Sequence, residues 1–346
     1  MRRSLNTLYV TTEGAWLHKD GANVVMSVEG QTKGRVPAHM LESLVCLGRV
    51  LVSPPLLGYC AEQGISISFL NRHGRFLARV EGPVSGNVLL RRRQYSCSDN
   101  PAASVAIVGH LLQGKVHGQR TVLARALRDH GARMPPEAQL ALKQAIERLR
   151  RVTDRLWVES SLDVLRGLEG DAARLYFEVF DHLIRVAEPA FRFQGRNRRP
   201  PKDAVNALLS FLYTLLTHDC RGALETVGLD PAVGFLHRDR PGRPSLALDM
   251  LEGFRPVLAD RLALSLINRR QLTAKDFQVL ENNAVIMTED ARRTVLTAYQ
   301  ERKQDEVWHP FLEEKVVIGL LPFIQAQLLA RHLRGDLDGY PPFLWK

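Results

Sequence analysis

AASVAIVGHLLQGKVHGQRTVLARALRDHG, residues 102–131, is where the grammar of the chain changes. Its apolar residues return at the helical period, for example Val105, Val108, Leu112 and Val116, so the stretch reads as one long amphipathic helix. It also contains GHLLQGKV (109–116), which matches the G-x-x-x-x-G-K core of a phosphate-binding loop. That match fails on two counts. Val116 stands where a magnesium-bound hydroxyl is needed, and the segment lies inside a helical pattern instead of following a buried strand. It reads as helix with two tolerated glycines.

Downstream the same period continues. PEAQLALKQAIERLRRV, SLDVLRGLEGDAARLYFEVFDHLIR and DAVNALLSFLYTLLTHDC are further amphipathic segments, separated by loops rich in Pro, Gly and Arg. The plainest loop is RFQGRNRRPPK (192–202), in which two prolines bar helix and Arg192, Arg196, Arg198, Arg199 and Lys202 are basic.

Upstream the period is that of strands. LYVTTEGAWLHKDGANVVMSVEG sets β-prone runs between E-G and D-G turns. VPAHMLESLV is expected as a short helix, GRVLVS as a strand, and PLLGYCAEQG as a helix ending at Gly64. ISISFLN alternates as a strand, turns at R-H-G and resumes as RFLARVEG. The expectation is an α+β chain: a small N-terminal β-rich domain (1–85), a linker (86–100) and a larger all-α domain (101–346).

The chain has 346 residues and a formal net charge of +10, with 45% hydrophobic and 24% charged residues. That is a soluble composition long enough for one large domain or two ordinary ones. The basic excess points to a polyanionic partner, nucleic acid ahead of membrane. MRRSLNTLYV turns polar before any secretory core forms, and VVIGLLPFI (316–324) is far too short to span a bilayer. Cys46, Cys60, Cys97 and Cys220 form no C-x-x-C pair, so neither a zinc knuckle nor a disulfide framework is expected, and a reducing cytoplasm is the economical location. There is no H-E-x-x-H, G-x-S-x-G or dinucleotide fingerprint.

The chemistry concentrates in GFLHRDRPGRPSLALDMLEGFRP (234–256) and in Glu169 of RGLEGDAARLYF (166–177). Glu169 lies between two glycines at the expected start of a helix. Taken alone it is a helix N-terminal acid, and His237 alone is a surface or cap histidine. Asp249 and Glu252 are three apart at an expected helix start and so share a face; alone they are a capping acid and a solvated one. Together, one loop histidine, a helix-borne acid pair and a distant glutamate suit a hard divalent ion, Mg²⁺ or Mn²⁺, better than a closed structural zinc site. Arg238, Arg240 and Arg243 would clamp phosphates. The layout is that of metal-assisted phosphodiester chemistry.

Four ordered stretches carry a family resemblance: GISISFLNRHGRFLAR in the β half, RGLEGDAARLYF, RNRRPPKDAVNALLSFLY (196–213) and residues 234–256. Over nearly its whole length the chain resembles the CRISPR adaptation integrases, the metal-dependent proteins of antiviral defence that insert new spacers into a CRISPR array, here of a type I system. The resemblance implies an N-terminal β domain that dimerises and a larger helical catalytic domain. It implies a metal set of Glu169, His237 and Glu252, with Asp249 as supporting acid, although the reverse order of those two acids stays open. It places Arg196, Arg198 and Arg199 on DNA phosphates, behind Arg238, Arg240 and Arg243, with Pro200 and Pro201 keeping their loop extended and Asp203 capping the next helix. Asn206, Ser210 and Tyr213 recur at helical spacing and would orient ligands or phosphates; satisfying their neighbours is the plainer account of the last two. Tyr176 would position DNA or pack in the core.

The implied reaction is transesterification of a duplex spacer precursor into the borders of a CRISPR repeat, with related endonuclease activity. The implied assembly is a homodimer bridged by a small companion protein in a prokaryotic cytoplasm. A free-standing metal nuclease or junction-resolving enzyme, and a non-catalytic DNA-binding module, are the competing readings.

Overall fold

The computed structural model describes residues 6–71, 76–80, 82, 88–197 and 200–345. The expected R-H-G turn, Arg198 and Arg199 lie outside the described residues. The chain divides into two compact units, residues 1–86 with 287–304, and residues 87–286 with 305–346.

The first unit is built on two four-stranded sheets. One has the order β1 (Asn6–Val10), β5 (Leu41–Leu47), β7 (Ser66–Leu70), β8 (Phe76–Val80), parallel except for the last pair. The other has the order β4 (Gln31–Pro37), β3 (Asn23–Val28), β2 (Trp16–Asp20), β6 (Leu51–Val52), antiparallel except for β2 with β6. The E-G turn joins β3 to β4 with Glu29 and Gly30 both at positive φ, 50° and 77°, which matches the twist of a tight hairpin. Leu17, Val24, Leu44, Leu56 and Ile67 share one apolar core. Helix α1 (Pro54–Gln63) ends, as expected, on Gly64 in the left-handed conformation, φ 69°.

One expectation fails here. VPAHMLESLV is not a helix: a single 3₁₀ turn at Ala38–Met40 is followed by β5. Leu44, Val45, Cys46 and Leu47 are all buried, because β5 is the inner strand between β1 and β7 and both its faces are covered. A strand covered on both faces loses its alternation and reads as a continuous apolar run.

The second unit is mainly helical: α2 (Val88–Asp99), α3 (Pro101–His130), α4 (Pro136–Leu156), α5 (Leu162–Glu178), α6 (Ala204–Thr226), α7 (Ser245–Phe254), α8 (Arg261–Asn268) and α10 (Leu321–Arg334). Helix α9 (Glu289–Gln304) falls to the first unit. The segment expected as linker therefore carries α2, whose Gln94 is buried and donates to the carbonyls of Asp230 and Val233, both at 2.8 Å. Nor is this part purely helical: β9 (Phe277–Val279) with β10 (Val285–Met287), and β11 (Glu306–His309) with β12 (Glu314–Val317), form two short ladders.

Helix α3 is the axis of this unit and packs against α4, α5 and α7. Asn100 caps it, accepting from the amides of Ala102 and Ala103 with Pro101 in the first turn. Gly114 and Gly118 lie where α7 and the turn after it approach. A Cβ on Gly118 would lie 3.4 Å from the Pro256 ring, and one on Gly114 would lie 4.0 Å from the Gly253 Cα. Both are ordinary van der Waals distances, so an alanine would fit at either position and only a longer side chain would press on these neighbours. All four cysteines are buried, and none is in a disulfide among the described residues. Among the described residues no helix is long and apolar enough to cross a membrane.

Candidate active site

The packing of α3 against both α5 and α7 brings Lys115 against two carboxylates. Its ammonium pairs with Glu169 Oε1 of α5 and lies 2.7 Å from Glu252 Oε2 of α7. Lys115 and Glu252 are buried, while Glu169 keeps 29% of its side chain exposed. Arg255 grips the other oxygen of Glu252 at 2.5 Å. Burial on its own would push the Glu252 carboxyl up. The Arg255 guanidinium and the Lys115 ammonium outweigh it, with His237 adding to them, and hold the group at about 2.

Glu252 Oε2 is a buried oxygen. Two carboxylates from separate helices thus face one point, and a single ammonium lies between them. That donor set fits a hard divalent cation in kind. Among the described residues no three His, Cys, Asp or Glu side chains are gathered into a finished metal cage. The cluster is two glutamates closed by a lysine, with His237 near enough to act on Glu252.

His237 is fixed by Asp249. The fully buried Asp249 carboxylate accepts from the amides of Phe235 (2.6 Å), Leu236 (2.9 Å) and His237 (3.0 Å), and its Oδ1 lies 2.6 Å from His237 Nδ1. Asp249 has no oxygen left for a cation. With Nδ1–H donating to the carboxylate, the Nε2 lone pair is left available, the arrangement of a carboxylate–histidine pair. Gly234 makes room for it: a Cβ there would lie 2.8 Å from Asp249 Oδ2 and from the Ser245 carbonyl carbon. From α5, Arg166 donates to the Leu236 carbonyl at 3.1 Å and closes the loop on its other side.

A second network lies behind Arg255. The Tyr213 ring has Arg255 at 4.6 Å from its centroid and Arg196 at 5.2 Å. Its hydroxyl donates to Asp260 Oδ1 at 2.6 Å. Asp260 is buried, and burial raises its carboxyl to about 6 even though Tyr213, Tyr176, Arg255 and Arg196 all oppose the rise. Arg255 and Asp260 bound a π-helical turn, Arg255–Asp260, between α7 and α8. Such wide turns recur at functional sites.

Several expectations change in detail. Glu169 sits in the middle of α5 and not at its start, because the cap position is Ser161 and both flanking glycines are helical. Asp203 does cap α6, accepting from the Asn206 amide at 2.7 Å. Asn206 does not reach toward a ligand. Its side chain is spent on Gly195, Asn197, Asp203 and Arg196. Ser210 likewise accepts from Arg196 at 3.2 Å. Arg196 is therefore a half-buried staple of its loop. Tyr176 is fully buried and packs on Phe177 and Phe180.

The turn after His237 remains open. Arg240 and Arg243 line a cavity of about 460 Å³ together with Arg221, Asp239 and Pro241. Arg238 is exposed, 3.5 Å from the equally exposed Asp163.

Sequence reasoning missed Lys115, Asp260, Arg166 and Arg221. Lys115 had a visible signal, the G-K of the phosphate-loop match, but the reason for its position is tertiary.

Fold and site together define a class: a two-part α+β protein whose helical domain presents buried carboxylates, an acid-held histidine and arginines suited to phosphodiester chemistry. The family model described as "CRISPR associated protein Cas1" matches residues 8–301. The chain is 62% identical to the CRISPR-associated endonuclease Cas1 2 of Rhodospirillum rubrum and 54% identical to the CRISPR-associated endonuclease Cas1 1 of Chlorobaculum tepidum, covering all of both chains in each case. Its fold is that of TM1797, a CAS1 protein from Thermotoga maritima, with a TM-score of 0.79 at 24% identity over 95% of this chain and 97% of that one. The chain belongs to the Cas1 family.

Proposed function

We propose that this protein is a metal-dependent DNA integrase of CRISPR spacer acquisition with related endonuclease activity. The observation that carries the reading is the convergence of Glu169 and Glu252 on one point beside His237, in a chain with Cas1 endonucleases as full-length relatives. The 3′-hydroxyl oxygen of a short duplex attacks a phosphorus at the repeat border. The P–O3′ bond of the repeat strand breaks, and the departing oxygen takes up a proton as the attacking hydroxyl loses one. One phosphodiester replaces another, so no external energy source is needed.

Glu169, Glu252 and Nε2 of His237 would hold Mg²⁺ or Mn²⁺, which when bound supplies Lewis-acid stabilisation of charge on the phosphoryl and leaving oxygens. Asp249 orients the imidazole. Arg255 keeps Glu252 ionised and aimed. Arg238, Arg240 and Arg243 receive phosphates of the duplex, with Arg198 and Arg199 behind them and Arg196 bracing its own loop. Asn206, Ser210 and Tyr213 hold Arg196 in place, one step back from the DNA.

The assembly belongs to the same reading: a cytoplasmic homodimer, joined through the β-rich domain and bridged by a small companion protein, acting on a double-stranded spacer precursor and a CRISPR repeat.

The test is a joining assay with the companion, a short duplex and a supercoiled repeat plasmid, in Mn²⁺ or in chelator. Metal-dependent joined product that is lost in Glu169→Ala and His237→Ala, with DNA binding kept, is the expected result. Cleavage without joining would favour a free-standing nuclease. No metal-dependent change with binding intact would leave a DNA-binding module.

A further inference from the structure

Lys115 is a buried cation with an unusual position. Its ammonium lies between the two carboxylates assigned to the metal, in contact with both. It faces Glu252 Oε2, a buried oxygen, at 2.7 Å. Arg255 already neutralises the other oxygen of Glu252. The two glutamates and the two cations therefore sum to zero charge in a site that is largely out of water. Buried charge is tolerated when it is balanced and becomes strongly unfavourable when one partner is removed.

A divalent ion cannot be added to this arrangement. With Lys115 in place the cluster would carry a net charge of +2, and the ammonium occupies the point toward which both carboxylates are aimed. Exchange is the economical solution. A lysine is suited to it, since its charge sits at the end of a flexible four-carbon stem, whereas a planar guanidinium such as that of Arg255 is fixed by its fork.

We propose that Lys115 is a positioning residue that stands in for the metal, holding Glu169 and Glu252 together in the metal-free protein and leaving the pair when a divalent cation enters, so that it sets the affinity for that cation. The inference rests on the metal assignment above and adds to it a residue that competes with the ion instead of binding it. It also explains why α3 carries a lysine at a buried position facing both α5 and α7. Without a cation there, the Glu169 and Glu252 carboxylates would face each other with Arg255 alone to balance them.

The experiment measures Mn²⁺ binding by calorimetry, and thermal stability in chelator and in Mn²⁺, for wild type, Lys115→Met and Glu169→Gln. Lys115→Met should lower the melting temperature in chelator, bind Mn²⁺ about tenfold more tightly, and gain more stability from Mn²⁺ than wild type does. A merely structural lysine would lower stability without tightening the metal. Should Lys115→Met fail to fold, Lys115→Gln carries the same comparison with a neutral side chain that can still donate to Glu169. Wild-type or weaker Mn²⁺ affinity in the neutral variant, with Glu169→Gln still abolishing binding, would overturn the competition while leaving the metal site standing. Mn²⁺ binding that is absent from wild type, or indifferent to Glu169→Gln, would remove the metal assignment itself, and this inference with it.

Discussion

Asp249 holds His237 by both the backbone and the ring: one carboxylate oxygen lies 3.0 Å from the His237 amide nitrogen and 2.6 Å from Nδ1, while the other accepts from Phe235 and Leu236. The loop and its imidazole are thus one rigid body hung on a single buried acid. Hydrogen bonds to a charged acceptor contribute about 1.5–3 kcal/mol each, and the orphaned amides add a desolvation cost. Asp249→Ala should therefore destabilise the protein by about 3–5 kcal/mol, read as a lower denaturation midpoint, and should abolish joining. Asp249→Asn should fold better and still fail in joining, because an amide nitrogen must then face an N–H donor. Wild-type joining by Asp249→Asn would remove the carboxylate–histidine pair from the mechanism.

The same relationship makes Gly234 a sterically required residue. Its backbone φ is unremarkable, so no conformational argument applies. The constraint is the 2.8 Å that would separate a Cβ from Asp249 Oδ2 and from the Ser245 carbonyl carbon. Gly234→Ala should cost about 1–3 kcal/mol by overpacking and should move His237, lowering metal-dependent activity as well as the melting temperature. Gly170, whose Cβ would meet nothing within 4 Å, is the control: Gly170→Ala should be neutral or stabilising in α5.

These two residues show where a sequence is legible and where it is not. The division into a β-rich part and a helical part is a matter of period, and period is local, so β2, β3, α1, α3 and α6 can all be read from their own residues. Segment 36–45 misleads for a physical reason: β5 is covered on both faces, and its apolar run then mimics a buried helix. Glu169, His237, Asp249 and Glu252 can be picked out by residue type and by resemblance. The role of Lys115 cannot, since its partner Glu169 is 54 residues away and the pairing depends on how α3 packs on α5 and α7. A failed phosphate-loop match removed the one local hint.

Asp260 gives the stability a pH dependence of unusual sign. Its carboxyl is raised in the folded state to about 6 against an unfolded value near 3.8, so the folded protein favours the protonated form. The stability it contributes is present below pH 3.8 and is lost as pH rises through about 6. Glu252 runs the other way: held at about 2, it contributes stability above its unfolded value near 4.5 that is lost as pH falls. Asp260→Asn, which keeps an acceptor for Tyr213, should thus be more stable than wild type at pH 7 by up to about 3 kcal/mol, with the gap closing toward pH 4. Melting temperatures across pH 4–8 for the two proteins measure it, and a gap independent of pH would place the titration elsewhere.

Tyr213 should then be coupled to Asp260 more strongly than to its stacked arginines. Tyr213→Phe keeps the ring between Arg196 and Arg255 and removes only the donor to Asp260. Leaving that buried carboxyl without its hydroxyl should cost about 1–3 kcal/mol at pH 7, and much less in an Asp260→Asn background. A double-mutant cycle isolates the term. Additive effects would mean that the 2.6 Å contact contributes little.

The open arginines make a different kind of prediction, about slope and not about stability. Arg240 and Arg243 line a cavity of about 460 Å³ beside the His237 loop. Contacts from such groups to phosphates release counterions, so log K should fall linearly with log salt, and each contact removed should reduce the slope by about 1. Arg240→Ala and Arg243→Ala should therefore weaken duplex binding about equally for all sequences, with little change in melting temperature. Arg196→Ala should behave otherwise: its guanidinium is tied to Asn206 and Ser210 and lies over Tyr213, so its loss should lower stability first and change the salt slope little. If Arg196→Ala instead reduced the slope as Arg240→Ala does, the loop would have to release that guanidinium on binding DNA, and Asn206 and Ser210 would be its resting partners only.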